Sequence, residues 1–272
     1  MILTHFATDK TFAEFDYAQL EIRVLALATK CKQLIQDIND GRDMHTVFAA
    51  EIFQKPEKEI TQKERRIAKG FSFQLQYGAG AKGIAKFWNV DINLAETFIN
   101  SYYERYPEVR EWQEGMLSKA TKTLDHRGDK NKEGEGIPSY FLPTIWQCPE
   151  TKQPLGYFRL LGEKPEWKNH YTISPTKVKN YAIQGGASDI MMFMLVKLQR
   201  ALERYPTKVL NTVHDSVLLE IDDNLEEVAT LTKQTLESVP EELQTAFSIT
   251  SPIPFPVDYS FGKTLEEVKR NS

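Results

Sequence analysis

The sequence predicts an α+β fold, and three observations carry that expectation. Strand-like alternation of apolar and polar residues occurs at 11–16, in two runs within 208–221, and again near 254–259. Longer segments with helical spacing lie between, at 61–77, 93–106, 108–121 and 177–204. The 272 residues are 41% hydrophobic, enough to bury a core in one large domain or two small ones, with no repeat and no low-complexity tract.

Composition removes several function classes. No apolar run approaches the ~20 residues of a membrane-spanning helix, and Met1-Ile2-Leu3-Thr4-His5 is not a signal peptide. Cys31 and Cys148 lack metal-type spacing, which suits a reducing, cytoplasmic setting. A net charge of -4 argues against a protein that coats nucleic acid non-specifically. It leaves room for an enzyme that grips nucleic acid in one cleft, where only the local field matters.

Taken in order, the strand at 11–16 runs into Asp16-Tyr17-Ala18-Gln19-Leu20-Glu21-Ile22-Arg23-Val24-Leu25-Ala26, whose later part is helical. Asp16 stands where strand gives way to helix; taken alone, it reads as an N-cap. Asp43 caps a helix over 44–53, and His45 in its first turn reads, by itself, as structural. Thr61 and Glu64 form a capping box, so a helix starts there. Only Gly70 weakens it before Tyr77, by about 1 kcal/mol relative to Ala, and Gly78 and Gly80 end it in a flexible turn. Helices follow over 84–88, 93–106 and about 108–121, with Tyr102, Tyr103, Tyr106 and Trp112 packing between them rather than stacking on bases.

From about 125 to 176 glycines, prolines and charges cluster around strand-like pieces at 140–142 and 156–161, predicting an extended, partly β insert lying on the surface. Lys177, Lys179 and Asn180 then open a helix to about Arg204, in which Gln184-Gly185-Gly186 permits close approach by another helix or a nucleic-acid strand. Two β-rich runs flank His214-Asp215, predicting a hairpin whose tip holds a carboxylate rigidly. A helix over about 225–239 and an edge strand near 254–259 close the chain.

Arg65, Lys69, Phe73 and Tyr77 recur at four-residue intervals and so project from one side of their helix. Cations followed by rings suit a polyphosphate followed by a sugar and base. The structural alternative is an amphipathic helix whose basic end lies over a core. Two carboxylates, Asp16 and Asp215, could share two divalent ions about 3.5–4 Å apart, the arrangement used for in-line displacement at phosphorus. Mg²⁺ suits oxygen ligands combined with substrate phosphates.

Together these stretches resemble the family A DNA polymerases, the DNA polymerase I type. The run from Asp16 to Ala26 is similar to the family's motif A, the run Arg65-Arg66 to Tyr77-Gly78 to motif B, and Val213-His214-Asp215-Ser216 to motif C. The resemblance implies a palm, an antiparallel sheet with packed helices, and a mainly helical fingers subdomain. It divides the chain into palm with motif A (1–28), fingers (29–125) with the motif B helix at 61–78, the insert (126–175), and palm (176–272) with the motif C hairpin at 208–221. By this resemblance Asp16 and Asp215 are catalytic and ligate two Mg²⁺ ions, helped by the main-chain carbonyl of Tyr17. His45, Arg65 and Lys69 bind the phosphates of an incoming dNTP, and Phe73 packs on its sugar. Tyr77 guards the insertion site, and Glu21 excludes a 2′-hydroxyl. Gly78, Asn180, Gln184 and His214 meet the primer-template DNA.

Two departures from the family stand out. Motif C usually reads His-Asp-Glu, and here Ser216 takes the third place. The thumb, the first palm strands and the N-terminal exonuclease are absent upstream of motif A, so the expectation is one part of a split polymerase. A separate polypeptide carrying the thumb, and an exonuclease if present, would complete it. Gene division of this kind suits a phage acting in its host's cytoplasm; a cut gene fragment is the simpler account. Glu21 and the complete motif B argue against a single-subunit RNA polymerase. Retention of Asp16 and Asp215 argues against a non-catalytic nucleic-acid-binding or assembly subunit.

Overall fold

The computed structural model describes residues 10–76, 79–123, 136–165 and 170–271. It opens with β1 (Thr11–Tyr17), followed by α1 (Leu20–Thr29), α2 (Lys32–Asn39) and α3 (Met44–Phe53). Next come α4 (Gln62–Gln76), α5 (Ala81–Trp88), α6 (Ile92–Arg105) and α7 (Pro107–Lys119). Three short strands follow, β2 (Thr121–Thr123), β3 (Ser139–Pro143) and β4 (Tyr157–Leu161), and then the long α8 (Pro175–Ala201). The chain ends with β5 (Thr207–Val213), β6 (Ser216–Ile221), α9 (Leu225–Glu237), α10 (Val239–Phe247), β7 (Val257–Gly262) and α11 (Leu265–Asn271). The α+β expectation holds. The described residues divide into two compact units, one within 1–24 and 186–272 and the other within 25–185.

The first unit is built on an antiparallel sheet of order β5-β6-β1-β7. Ala13, Phe15 and Tyr17 of β1 point to one face, beside Leu219, Val217 and Val257 of the flanking strands, and all six are buried. Alternation along each strand then sends Glu14, Asp16, Ser216, Asp258 and Ser260 to the opposite face. Tyr17 anchors the buried face, its hydroxyl donating to the Leu236 carbonyl of α9 at 2.7 Å. The expected terminal edge strand is β7, lying outside β1. The opposite edge, β5, exposes Val209, Leu210 and Val213.

The second unit is mainly helical. Ala68, Phe71, Ser72 and Leu75, at i, i+3, i+4 and i+7 of α4, form its buried face. Phe71 meets Trp88 and Phe98 at ring separations of 6.1 and 5.4 Å, and Phe48 meets Tyr102 and Tyr106 at 5.3 and 5.9 Å. The tyrosines of α6 are therefore packing residues. The capping box forms as expected, the Thr61 amide donating to Glu64 at 2.9 Å and the Glu64 amide to the Thr61 hydroxyl at 3.2 Å.

Several expectations need correction. The stretch around 140–161 lies on the surface only in part, with Leu155, Tyr157 and Leu161 exposed. Tyr140, Leu142 and Leu160 are buried in one cluster with Met116 of α7 and Val178 and Ala182 of α8. Gly185 admits neither a second helix nor, at its Cα, a strand of nucleic acid, because the ring of Phe158 from β4 occupies that space, 2.1 Å from where a Cβ would stand. Gly80 begins α5 with an ordinary φ of -86°, and Gly78 lies outside the described residues. Asp43 stands at the N-cap of α3 without a capping hydrogen bond. The sequence reading gave no helices at α2, α10 or α11, three short elements stabilised by what they pack against.

Gly70 is required by packing rather than by flexibility. A methyl there would come within 1.7 Å of the Trp88 indole. Gly70→Ala should lower stability by about 1–3 kcal/mol through overpacking. Gly115→Ala in α7, where no atom lies within 4 Å, should instead stabilise by roughly 0.5–1 kcal/mol. Urea unfolding of the two variants checks the opposite signs.

Candidate active site

In the sheet unit, β1 ends beside the tip of the β5–β6 hairpin. Cα pairing sets Asp16 opposite Ser216, and the Tyr17 amide donates to the Asp215 carbonyl at 3.1 Å. A two-residue loop, His214-Asp215, joins strands paired at Val213 and Ser216. His214 takes φ 55°, a left-handed conformation that costs a residue with a Cβ about 1 kcal/mol. The backbone thus places both expected aspartates at one corner of the sheet, as the sequence implied.

Electrostatics bind the pair more closely. The Asp16 carboxyl is pushed up from 3.8 to about 6, first by burial and then by the charges of Asp215, Glu14 and Asp258. A hydrogen bond with Asp215 adds to the shift. Glu14 and Asp258 were not singled out from the sequence. The available signal was the two-residue spacing from Glu14 to Asp16, which puts both on one strand face; nothing local marks Asp258. Tyr17 contributes its backbone here, since its ring is buried. Glu21 lies half-buried in the first turn of α1. Among the described residues no three His, Cys, Asp or Glu side chains converge as they would on one metal ion.

In the helical unit, α3 and α4 bring His45, Arg65 and Lys69 together. Arg65 grips Asp43 through two hydrogen bonds, Nε to Oδ2 at 2.5 Å and Nη2 to Oδ1 at 3.0 Å. The Thr46 hydroxyl donates to the same carboxylate at 2.5 Å. Burial opposes ionisation of Asp43, but the bonds from Arg65 and Thr46 outweigh it and hold its carboxyl below the usual range. His45 is 3% exposed, and burial drives its pKa down to about 4, with Asp43 opposing and Lys69 and Arg65 reinforcing. It is therefore neutral at pH 7. Asp43 had been read only as a cap; no local pattern links it to Arg65 across 22 residues.

Other expected site residues are less charged, or lie elsewhere. Lys177 pairs with Glu163, which offsets part of the positive charge opening α8, and burial lowers the pKa of Lys179. Asn180 is half-buried with its side-chain oxygen lacking a hydrogen-bond partner among the described residues, and Gln184 is exposed. Tyr77 and Gly78, and the side chain of Phe73, fall outside what is described. No helix among the described residues is long and apolar enough to cross a membrane.

The raised pKa of Asp16 has a signed consequence. The folded protein binds a proton there that the unfolded chain has lost, so stability falls as pH rises from about 4 to about 6. Asp16→Asn should stabilise the metal-free protein above about pH 6, with the gain vanishing below about pH 4. Because the residue is exposed, screening limits the effect to on the order of 1 kcal/mol. Thermal unfolding across pH 4–8 in chelator measures it.

Comparison with known proteins gives one consistent answer. The model of DNA polymerase family A matches residues 2–128 and 164–267. DNA polymerase I of Lactococcus lactis subsp. lactis (strain IL1403) is 29% identical over 271 residues, covering 96% of this chain and 26% of that protein. DNA polymerase I of Bacillus caldotenax is 30% identical, covering 93% and 26%, and the thermostable DNA polymerase I of Thermus aquaticus is 30% identical, covering 82% and 24%. The chain thus spans about a quarter of these relatives. Its fold matches the POL domain of Pol1 from M. smegmatis, solved in complex with DNA primer-template and dNTP, with a TM-score of 0.69 and 20% identity over 98% of this chain and 42% of that one. The chain belongs to DNA polymerase family A.

Proposed function

We propose that this chain carries the nucleotidyl-transfer centre of a template-directed DNA polymerase, with the sheet unit as palm and the helical unit as fingers. The observation that carries this reading is the corner where Asp16 and Asp215 share a hydrogen bond and the Tyr17 amide ties the two strands together. Crowding by neighbouring carboxylates raises the pKa of Asp16, a repulsion that a divalent cation would relieve. Two carboxylates with substrate phosphates match the way Mg²⁺ is held. Asp16, Asp215 and the Tyr17 carbonyl would hold two such ions. When bound, these would favour ionisation of the primer 3′-hydroxyl and neutralise charge on the leaving pyrophosphate.

The remaining work falls to side chains. The primer 3′-oxygen attacks the α-phosphorus of a dNTP, and the bond to the β-phosphate oxygen breaks. Arg65 and Lys69 hold the triphosphate. Pairing with Asp43 occupies two of the five guanidinium donors of Arg65, leaving three, and fixes the plane in which they point. His45, neutral while the pocket is empty of anions, would gain a proton as the phosphates raise its pKa. Phe73 lies on the sugar, Tyr77 and Gly78 flank the template base, and Glu21 closes the space of a 2′-hydroxyl. Asn180, Gln184 and His214 meet the primer-template. The work is done in the cytoplasm of a cell or of a phage-infected host.

Completion by a separate, thumb-bearing polypeptide is part of the proposal. Its support is β5, an outermost strand that exposes Val209, Leu210 and Val213 where a single-chain sheet would cover or charge its edge. The test is primer extension with Mg²⁺ and dNTPs, by the chain alone and after addition of a thumb-bearing protein. Extension only on complementation is expected; extension by the chain alone would remove the partner from the proposal. Asp16→Ala and Asp215→Ala should each lower the rate by about 1,000-fold. Wild-type rates in either variant would overturn the assignment, and an intact complex with no extension would favour a non-catalytic subunit.

A further inference from the structure

We propose that Glu14 of β1 is a positioning carboxylate of the metal site, supplying through Ser216 a negative charge in place of the one that this chain's motif C lacks. The inference rests on the reading of Asp16 and Asp215 as the metal-holding pair. Its structural basis is register. Glu14 and Asp16 share the open face of β1, two residues apart, and Asp16 pairs across strands with Ser216. The Ser216 hydroxyl donates to Glu14 Oε1 at 3.0 Å, the Val213 carbonyl at 3.2 Å being the alternative acceptor for its single proton. Ser216 follows Asp215 directly, so one buried hydroxyl connects the hairpin tip to a carboxylate on the neighbouring strand.

Two observations point to a cation rather than to a structural role. Glu14 is half-buried, and among the described residues no Lys or Arg pairs with it. Its one side-chain bond among the described residues is to the neutral Ser216 hydroxyl, and it shares its face of the sheet with Asp16 and Asp258, so the face gathers acids with no cation bonded to Glu14. Opposite Glu14 on β7 stands Ser260, 5% exposed, whose hydroxyl has no hydrogen-bond partner among the described residues. Register sends it to the same face, where a hydrated cation would give it one. Because no three acidic groups close on a single point, Glu14 acts one step out, orienting the hydroxyl and ordered water around the ions rather than binding them directly. Outer partners of this kind typically change metal affinity 10–100-fold.

Mn²⁺ serves as the probe, its binding to the full chain followed by electron paramagnetic resonance without DNA or dNTP. Glu14→Gln keeps the size and an acceptor for Ser216 and removes only the charge. It should weaken Mn²⁺ binding by about tenfold or more, with a thermal midpoint in chelator no lower than that of the wild type. Glu14→Gln combined with Ser216→Glu should recover the affinity, which a merely structural Glu14 would not allow. Wild-type Mn²⁺ affinity in Glu14→Gln, alongside loss of binding in Asp215→Asn, would overturn the inference and leave the Asp16–Asp215 site standing. Wild-type affinity in both variants would overturn the metal site itself, and Glu14 with it.

Discussion

Antiparallel pairing of β1 with β6 is the constraint on which the sheet unit depends. The two strands are about 200 residues apart in sequence, as the Ser216–Glu14 bond across 202 positions shows. Alternation has a period of two, so a slip of one residue would turn Phe15 and Tyr17 out to water and Asp16 and Glu14 into the core. The apolar face therefore enforces the register, and the register sets the geometry of the polar face. Core packing and site chemistry are two readings of the same pairing.

This explains what the sequence could and could not disclose. Local features were legible because their causes are local: the capping box at Thr61 and Glu64, the helix from Met44 to Phe53, and the hairpin around His214-Asp215. Motif order supplied the family, and with it the expectation that Asp16 and Asp215 meet. Partners separated by long stretches of chain were not legible. Nothing near Gly70 says that Trp88 will fill its space, and nothing near Phe158 says that it will press on Gly185. Glu14 needed the register of β1 against β6 before its relation to Ser216 had meaning. The buried part of the stretch from 136 to 161, at Tyr140, Leu142 and Leu160, was hidden for the same reason. Its glycines and prolines describe its turns, whereas its burial depends on apolar faces of α7 and α8 that lie elsewhere in the chain.

Charge in the helical unit is held in balance in a way composition hides. Arg65 is gripped by Asp43, His45 is kept neutral by burial, and Lys177 is paired with Glu163. A stripe that reads as strongly cationic is thus moderated at rest. An arriving polyphosphate would find Arg65 with its plane fixed and His45 ready to take up a proton. Preorganisation of this kind reduces the ordering cost of binding, and under the proposed function it would let an acidic chain bind a polyphosphate without a strongly basic field.

Two carboxylate groups in this protein show how a satisfied structural acid differs from a crowded one. Asp37 is fully buried and fully satisfied, accepting hydrogen bonds from Arg42 at 2.7 Å, Tyr106 at 2.8 Å and Arg105 at 3.0 Å. Burial opposes its ionisation, but these partners hold its pKa below the usual range, so it is a closed hub joining α2, α6 and the segment before α3. The Asp16 corner is the reverse. Its carboxylates crowd Asp16, no guanidinium among the described residues bonds to it, and the pKa of Asp16 rises. A fold has no structural reason to gather acids without cations, because each raises the cost of the others. Such an arrangement favours the binding of something positive, and that asymmetry, more than the presence of acidic residues, is what sets this corner apart from the Asp37 hub and supports the proposed reading of it.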